Sequence, residues 1–310
     1  IYNVSGELDK GWLFYRGAVS NMIERENVKI PIPQWNGEGF SQKRIVFRRV
    51  HSPSDEIIYS NIFNDLIRDN CHVIIETDKR LLKLFKRSFP KAEVVPRQEN
   101  EPYPRLLDND IDFQANFSDP FETYRDDLKK FPNHDGYLIP DPKKVRYWKN
   151  YLKNLSGNKI KVGISWGSSG TSTLTNLFTI PIQLYNNLIS IEDTIFINLE
   201  YSLLSDDKDF LLKHGKNNIH IIKDVNLRND MENLAAIIKN LDLVISINNI
   251  NSNLSGALGV QTWTIVPAFW WFLFGTNTDY FFPNSKVFKW SKKNMKPQIL
   301  GKVTKEYEKY

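Results

Sequence analysis

The chain has 310 residues, long enough for two domains that each bury a core, and its 41% hydrophobic and 13% aromatic content excludes a disordered polymer. Its 41 basic and 36 acidic residues leave a net charge of +5, too modest at this length to demand a nucleic-acid partner. The single cysteine, Cys71, excludes an intrachain disulfide and a cysteine zinc cage, and it fits a reducing, cytoplasmic location.

The first segment, GELDKGWLFYRGA, reads as an amphipathic helix with Trp12, Leu13 and Tyr15 as packing residues, and residues 1–28 read as the helical remnant of something upstream. No basic segment followed by an apolar one is present there, so no signal peptide is expected. Pro31, Pro33 and Gly37 break the chain before a run of alternating character: RIVFRRV, DEIIYSNIFNDLIRD, HVIIET, KRLLKLFKRSFP, AEVVP. This is a βαβαβ series, and it predicts a parallel sheet covered by helices in a first domain over 29–142. Its basic segment, Lys79 to Arg87, has apolar residues at helical spacing and reads as the solvated face of a surface helix. A looser stretch with Phe113 and 121–131 ends at GYLIPDP, and an amphipathic helix over 143–157 links the first domain to the second half of the chain.

A second alternating series opens at Lys159 with KIKVGISW and continues through TIFINLEY, IHIIKD and the helix 230–241 to LDLVISINNINSNLSGALGVQTW. It predicts a second Rossmann-like domain over 158–290, with 291–310 as a tail. The apolar run Leu243–Ile247 is a buried strand; Asn248, Asn249, Asn251, Ser252 and Asn253 then supply donors and caps where a helix must start. Free N–H groups and the positive dipole end at such a turn suit a diphosphate, and Gly256 keeps the helix thin beside sheet and ligand. The most apolar stretch, Val260 to Phe274, is too short for a membrane span and is broken by Pro267. The histidines are scattered, so no metal centre is expected.

The order IPQWNGEGFSQKRIVF, DGYLIPDP, KVGISWGSSG, FINLEY, LDLVISINNINSNLSGALGVQTWTIVP and FFPNSKVFKW resembles the glycosyltransferase-like domain that follows tetratricopeptide repeats in bacterial proteins. That domain is similar to O-linked N-acetylglucosamine transferase and to the heptosyltransferases. The resemblance implies an α/β GT-B fold, two Rossmann-like domains facing across a cleft. It also implies an inverting, metal-independent hexosyl or heptosyl transfer from a nucleotide-sugar co-substrate, with no other cofactor. The acceptor is left open among glycan, lipid-glycan and protein.

On this resemblance the donor side comprises Ser165, Trp166, Gly167 and Ser168, then Glu200 and Tyr201, then Asn248, Asn249, Asn253 and Gly256. Asp55 stands as the base at the end of the first strand, with His51 as the alternative; Asp55 equally suits a helix cap. The sequence departs from the family where chemistry is carried. The glycines of the first turn are replaced by His51-Ser52-Pro53-Ser54; Asn248, Asn249 and Asn253 replace Asp-Thr and His; Phe178 replaces a basic residue. An amide can hydrogen-bond a phosphate or sugar but supplies neither an imidazolium proton nor a carboxylate charge. A second reading is therefore a degenerate GT-B module that binds nucleotide, glycan or a protein without turnover.

Overall fold

A computed structural model of the chain describes residues 2–23, 28–48, 52–167, 178–201, 203, 205–214, 218–291 and 295–310. It divides into two compact units: Ile1–Asn133 with Tyr137–Ile139 and Trp271–Thr276, and His134–Gly136 with Pro140–Trp270 and Asn277–Tyr310.

In the first unit the apolar runs form parallel strands β1 (Arg44–Arg48), β2 (His72–Thr77), β3 (Glu93–Pro96) and β4 (Phe113–Asn116), in the order β3-β2-β1-β4. Ile45, Val46 and Phe47 on the central β1 are fully buried, as expected of a strand covered on both faces. The stretch read as loose contains β4, which pairs Ile45 with Phe113 and Phe47 with Ala115. Lys83 and Lys86 lie exposed on the helix Leu82–Ser88 while Leu84 and Phe85 are buried, in keeping with a solvated basic face.

The helix Leu8–Ile23 is integral to this unit and corrects its reading as a separate remnant. Trp12 is 1% exposed, packs against Phe121, Trp271 and Phe274, and donates its indole N–H to Arg125 O at 2.9 Å. Under the sheet a buried ion pair joins two strand ends, with Arg48 Nε donating to Glu76 Oε2 at 3.0 Å. The same guanidinium donates to Gln114 Oε1 at 3.3 Å and to Val28 O at 3.1 Å, and Gln114 donates to Ile32 O at 2.6 Å. These bonds fasten the proline-broken segment to the sheet.

Among its described residues the second unit carries six parallel strands: β5 (Ile160–Ser165), β6 (Thr194–Asn198), β7 (Ile219–His220), β8 (Leu243–Ile247), β9 (Thr262–Pro267) and β10 (Ser285–Trp290). Their order is β10-β9-β8-β5-β6-β7. Of the expected strand IHIIKD only two residues pair, because Ile221 onward leaves the sheet. The helix read as a linker, Pro142–Ser156, belongs to this unit: Trp148 Nε1 donates to Asn233 Oδ1 at 2.9 Å, and Asn240 Nδ2 donates to Val145 O at 3.0 Å. The expected tail also belongs to it. The helix Lys296–Tyr307 buries Ile299, Leu300, Val303 and Tyr307 in the second core, and Tyr307 OH meets Thr194 Oγ1 at 2.7 Å.

Arg48→Ala should destabilise the protein by about 3–5 kcal/mol, because Glu76 is then left as an uncompensated buried charge. Urea denaturation checks this; a loss below about 1 kcal/mol, the range of exposed pairs, contradicts it.

Candidate functional site

A parallel sheet brings its strands' carboxyl ends to one edge, and in the second unit that edge is held by polar side chains. Ser165, the last residue of β5, is fully buried and donates its hydroxyl to Glu200 Oε2 at 3.2 Å. Ser165 Oγ in turn accepts from Asn249 Nδ2 at 2.8 Å and Asn251 Nδ2 at 3.0 Å. Glu200 Oε2 also accepts the Gly167 N–H at 2.8 Å, and Asn198 brackets Glu200 by bonding its backbone on both sides. Burial raises the Glu200 carboxyl above its ordinary value, while the Gly167 and Ser165 donors oppose the shift. Gly167 lets the backbone come close here, since a Cβ would lie 2.9 Å from Glu200 Oε2 and push that carboxylate aside.

The expected roles of the strand, turn and helix side chains are corrected in several places. Asn249 is the N-cap of the helix Ile250–Ala257: its Oδ1 accepts from Asn251 N at 2.9 Å and Ser252 N at 3.4 Å, and its carbonyl accepts Asn253 N at 3.1 Å. Of the amides expected to grip a pyrophosphate, those of Asn251 and Ser252 are therefore already engaged by the cap itself. Asn253 is 2% exposed within the helix, while Asn248 is half-buried at the turn. Gly256 is turned to packing: a Cβ there would meet the Phe282 ring at 2.4 Å. Trp166 is 2% exposed with its indole N–H toward Asp207 Oδ2 at 3.3 Å, which makes it core. Ser168 lies outside the described residues.

The open space on this edge is beside β6 and β7. A cavity of about 680 Å³ is lined by Asn198, Glu200, Tyr201, Leu203, Lys208 and the run Ile221–Leu227. Tyr201 carries the Arg228 guanidinium 5.6 Å from its ring centroid. Lys208 and Lys223 supply positive charge to the cavity, and Asp224 and Glu200 supply negative charge. Of the predicted donor residues the cavity brings together Glu200 and Tyr201. The sequence reading missed Asn198, Lys208 and Lys223; the one available signal was the early departure of Lys223-Asp224 from the apolar run of the expected strand IHIIKD. Beside the network, Asn251 Oδ1 and the Tyr185 hydroxyl are buried with no hydrogen-bond partner among the described residues. The aromatic run Phe269-Trp270-Trp271-Phe272 divides, with Trp270 edge-on to Phe178 in this unit and Trp271 and Phe272 packed within the first. Among the described residues no cluster of three or more His, Cys, Asp or Glu is placed to hold a metal ion.

On the first unit's carboxyl edge, Ser52 is the N-cap of the helix Pro53–Tyr59, and Asp55, one turn in, completes a capping box. Asp55 Oδ2 accepts from Ser52 N at 3.0 Å and Ser52 Oγ at 2.7 Å. His51 lies outside the described residues. A second acid, overlooked in the sequence, follows β4: Asp119 is 1% exposed and accepts from Asn116 N at 2.8 Å and Asn116 Nδ2 at 3.1 Å. Burial pushes its carboxyl up to about 7, against the pull of the Asn116 donors.

No family model matches the chain. Among curated proteins it is similar to Protein FlbA of Caulobacter vibrioides, at 25% identity over 311 residues, covering 96% of this chain and 52% of FlbA. The chain thus spans about half the length of the curated relative it matches. Among solved structures it is similar to a glycosyl transferase family 9 protein from Veillonella parvula, with a TM-score of 0.56, 11% identity, and 88% of this chain and 91% of that chain covered. It is also similar to the E. coli ADP-heptose LPS heptosyltransferase II, with a TM-score of 0.55, 10% identity, and 86% and 99% covered. The fold is that of the GT-B glycosyltransferases.

A carboxyl whose folded pKa lies above its unfolded one stabilises the fold when protonated, so the contribution of Asp119 is complete below its ordinary 3.8 and is lost as pH rises to about 7. Asp119→Asn should flatten the fall of unfolding free energy across that window, by up to about 1.4 kcal/mol per pH unit; urea titrations giving identical slopes for both proteins contradict it. Gly256→Val should lower stability by about 1–3 kcal/mol through collision with Phe282, and thermal denaturation with an unchanged midpoint removes that contact from the account.

Proposed function

We propose that the chain is a glycosyltransferase whose second unit binds a nucleotide-sugar donor in the cavity beside β6 and β7. The observation that carries this reading is the cavity itself, at the carboxyl ends of parallel strands in a GT-B fold, where α/β sheets hold nucleotides. Tyr201 offers a ring face to a base or ribose, and Lys208 and Lys223 offer cations to a diphosphate. The E. coli neighbour is described as acting with ADP-heptose, which supports a nucleotide-activated sugar as the donor class. Heptosyl or hexosyl transfer, inverting and metal-independent, in the cytoplasm, completes the reading, with a glycan, lipid-glycan or protein as acceptor. Asp55 serves in it as the base, since a carboxylate with one oxygen in a capping box keeps lone pairs on the other. Kinship with the tetratricopeptide-linked and O-linked N-acetylglucosamine transferases rests on motif order and belongs to the same proposal.

One finding favours the second reading, a binding module without turnover: the helix amides beside Asn249 are taken by its own cap, so a leaving diphosphate loses that stabiliser. Calorimetry with uridine, guanosine and adenosine diphosphates, followed by nucleotide release from the matching sugar donors, separates the two. At least one diphosphate should bind, and Lys208→Ala with Lys223→Ala should weaken it about tenfold or more. Binding with no donor turned over establishes the module; absence of any nucleotide binding removes the transferase and the nucleotide-binding form of the module. Asp55→Asn should abolish transfer at unchanged nucleotide affinity, and full activity in that variant leaves Asp55 as a cap alone.

A further inference from the structure

The helix Pro142–Ser156, PKKVRYWKNYLKNLS, carries Lys143, Lys144, Arg146, Lys149 and Lys153 and no acidic residue. Its buried side is Trp148, Leu152 and Ser156, which at roughly 100° per residue leaves Lys143, Arg146 and Lys153 turned away from it, with Lys149 on the flank. Those four are exposed, with Asn150 between them, and Asn154 and Tyr147, the latter 62% exposed, border the same face. Among the described residues none of the five cations takes part in an ion pair. The nearby acids are otherwise engaged: Asp141 caps this helix through Lys143 N and Lys144 N, Asp230 caps the adjacent helix Met231–Ile238 through Asn233, and Glu232 is buried. On a chain of net charge +5, the exposed cations of this helix thus form a stripe of one sign.

We propose that this face docks the protein on an anionic lipid bilayer. A straight helix spreads its cations over about 15 Å from Lys143 to Lys153, along a line that a planar array of headgroups can meet all at once. A tyrosine at the rim is the side chain that settles at headgroup level, with its ring toward the acyl boundary and its hydroxyl in water. The attachment is peripheral, since no helix among the described residues is long and apolar enough to cross a membrane.

The test is sedimentation of the full chain with phosphatidylcholine vesicles, with and without added phosphatidylglycerol, at low and physiological salt. Binding should require phosphatidylglycerol, weaken with salt, and fall by about fivefold for each cation neutralised. Lys143→Gln, Arg146→Gln and Lys149→Gln together should therefore cost on the order of a hundredfold, with circular dichroism confirming the fold. Lys83→Gln with Lys86→Gln, which removes exposed cations from the first unit, should leave binding intact. No binding to anionic vesicles, equal binding to neutral ones, or undiminished binding by the triple variant overturns the proposal. So does retention of duplex DNA without retention of vesicles, which would make the face a nucleic-acid surface.

Discussion

The Ser165 hydroxyl is the point on which the functional edge of the second unit depends. It gives its one proton to Glu200 and receives amide protons from Asn249 and Asn251, so a single buried oxygen ties the ends of β5, β6 and β8. Loss of that oxygen would leave two buried amide donors and a carboxylate short of partners, a larger penalty than the bonds themselves are worth. Of those side chains only Glu200 also lines the cavity; Ser165, Asn249 and Asn251 are committed to the network. The free space falls instead one strand further out, where the two-residue β7 ends early and the run Ile221–Leu227 opens beside Tyr201.

Apolar periodicity made the architecture readable. A short β-branched run bounded by turn residues suits a strand covered on both faces, and of the ten strands among the described residues seven lie in runs picked out as strands from the sequence. β4 escapes such a reading because Phe113–Asn116 holds two apolar residues among polar ones, and its strand character comes from pairing with β1 and from Gln114's bonds to Pro33 and Trp35. The place of the N-terminal helix is hidden for a related reason. Its amphipathic pattern is visible, but Trp12's partners Phe121, Trp271 and Phe274 lie more than a hundred residues away, and no local pattern reports them.

Site residues were legible as types and positions, and less so as roles. Asparagines after a buried strand signal a helix start, and Asn249 is one; whether the amides it faces remain free depends on a rotamer that sequence does not specify. Gly256 shows the same limit. Its small size signals a close approach, but the neighbour is the ring of Phe282. Ser52 takes the capping position and places Asp55 at the third helical residue, where cap and acid satisfy each other.

Charge sets the last constraint on the proposed donor site. Glu200 lines the cavity, and burial already disfavours its ionised form. A diphosphate entering the same space adds negative charge close by, which raises the free energy of the carboxylate further and moves its proton affinity upward. The amide replacements at Asn248, Asn249 and Asn253 cannot answer that charge, since asparagine does not titrate. The answer has to come from Lys208 and Lys223 across the cavity, or from a proton taken up by Glu200 as the nucleotide binds. In the second case the protonated acid still accepts the Gly167 amide on one oxygen, so the strand-end network survives the change in charge.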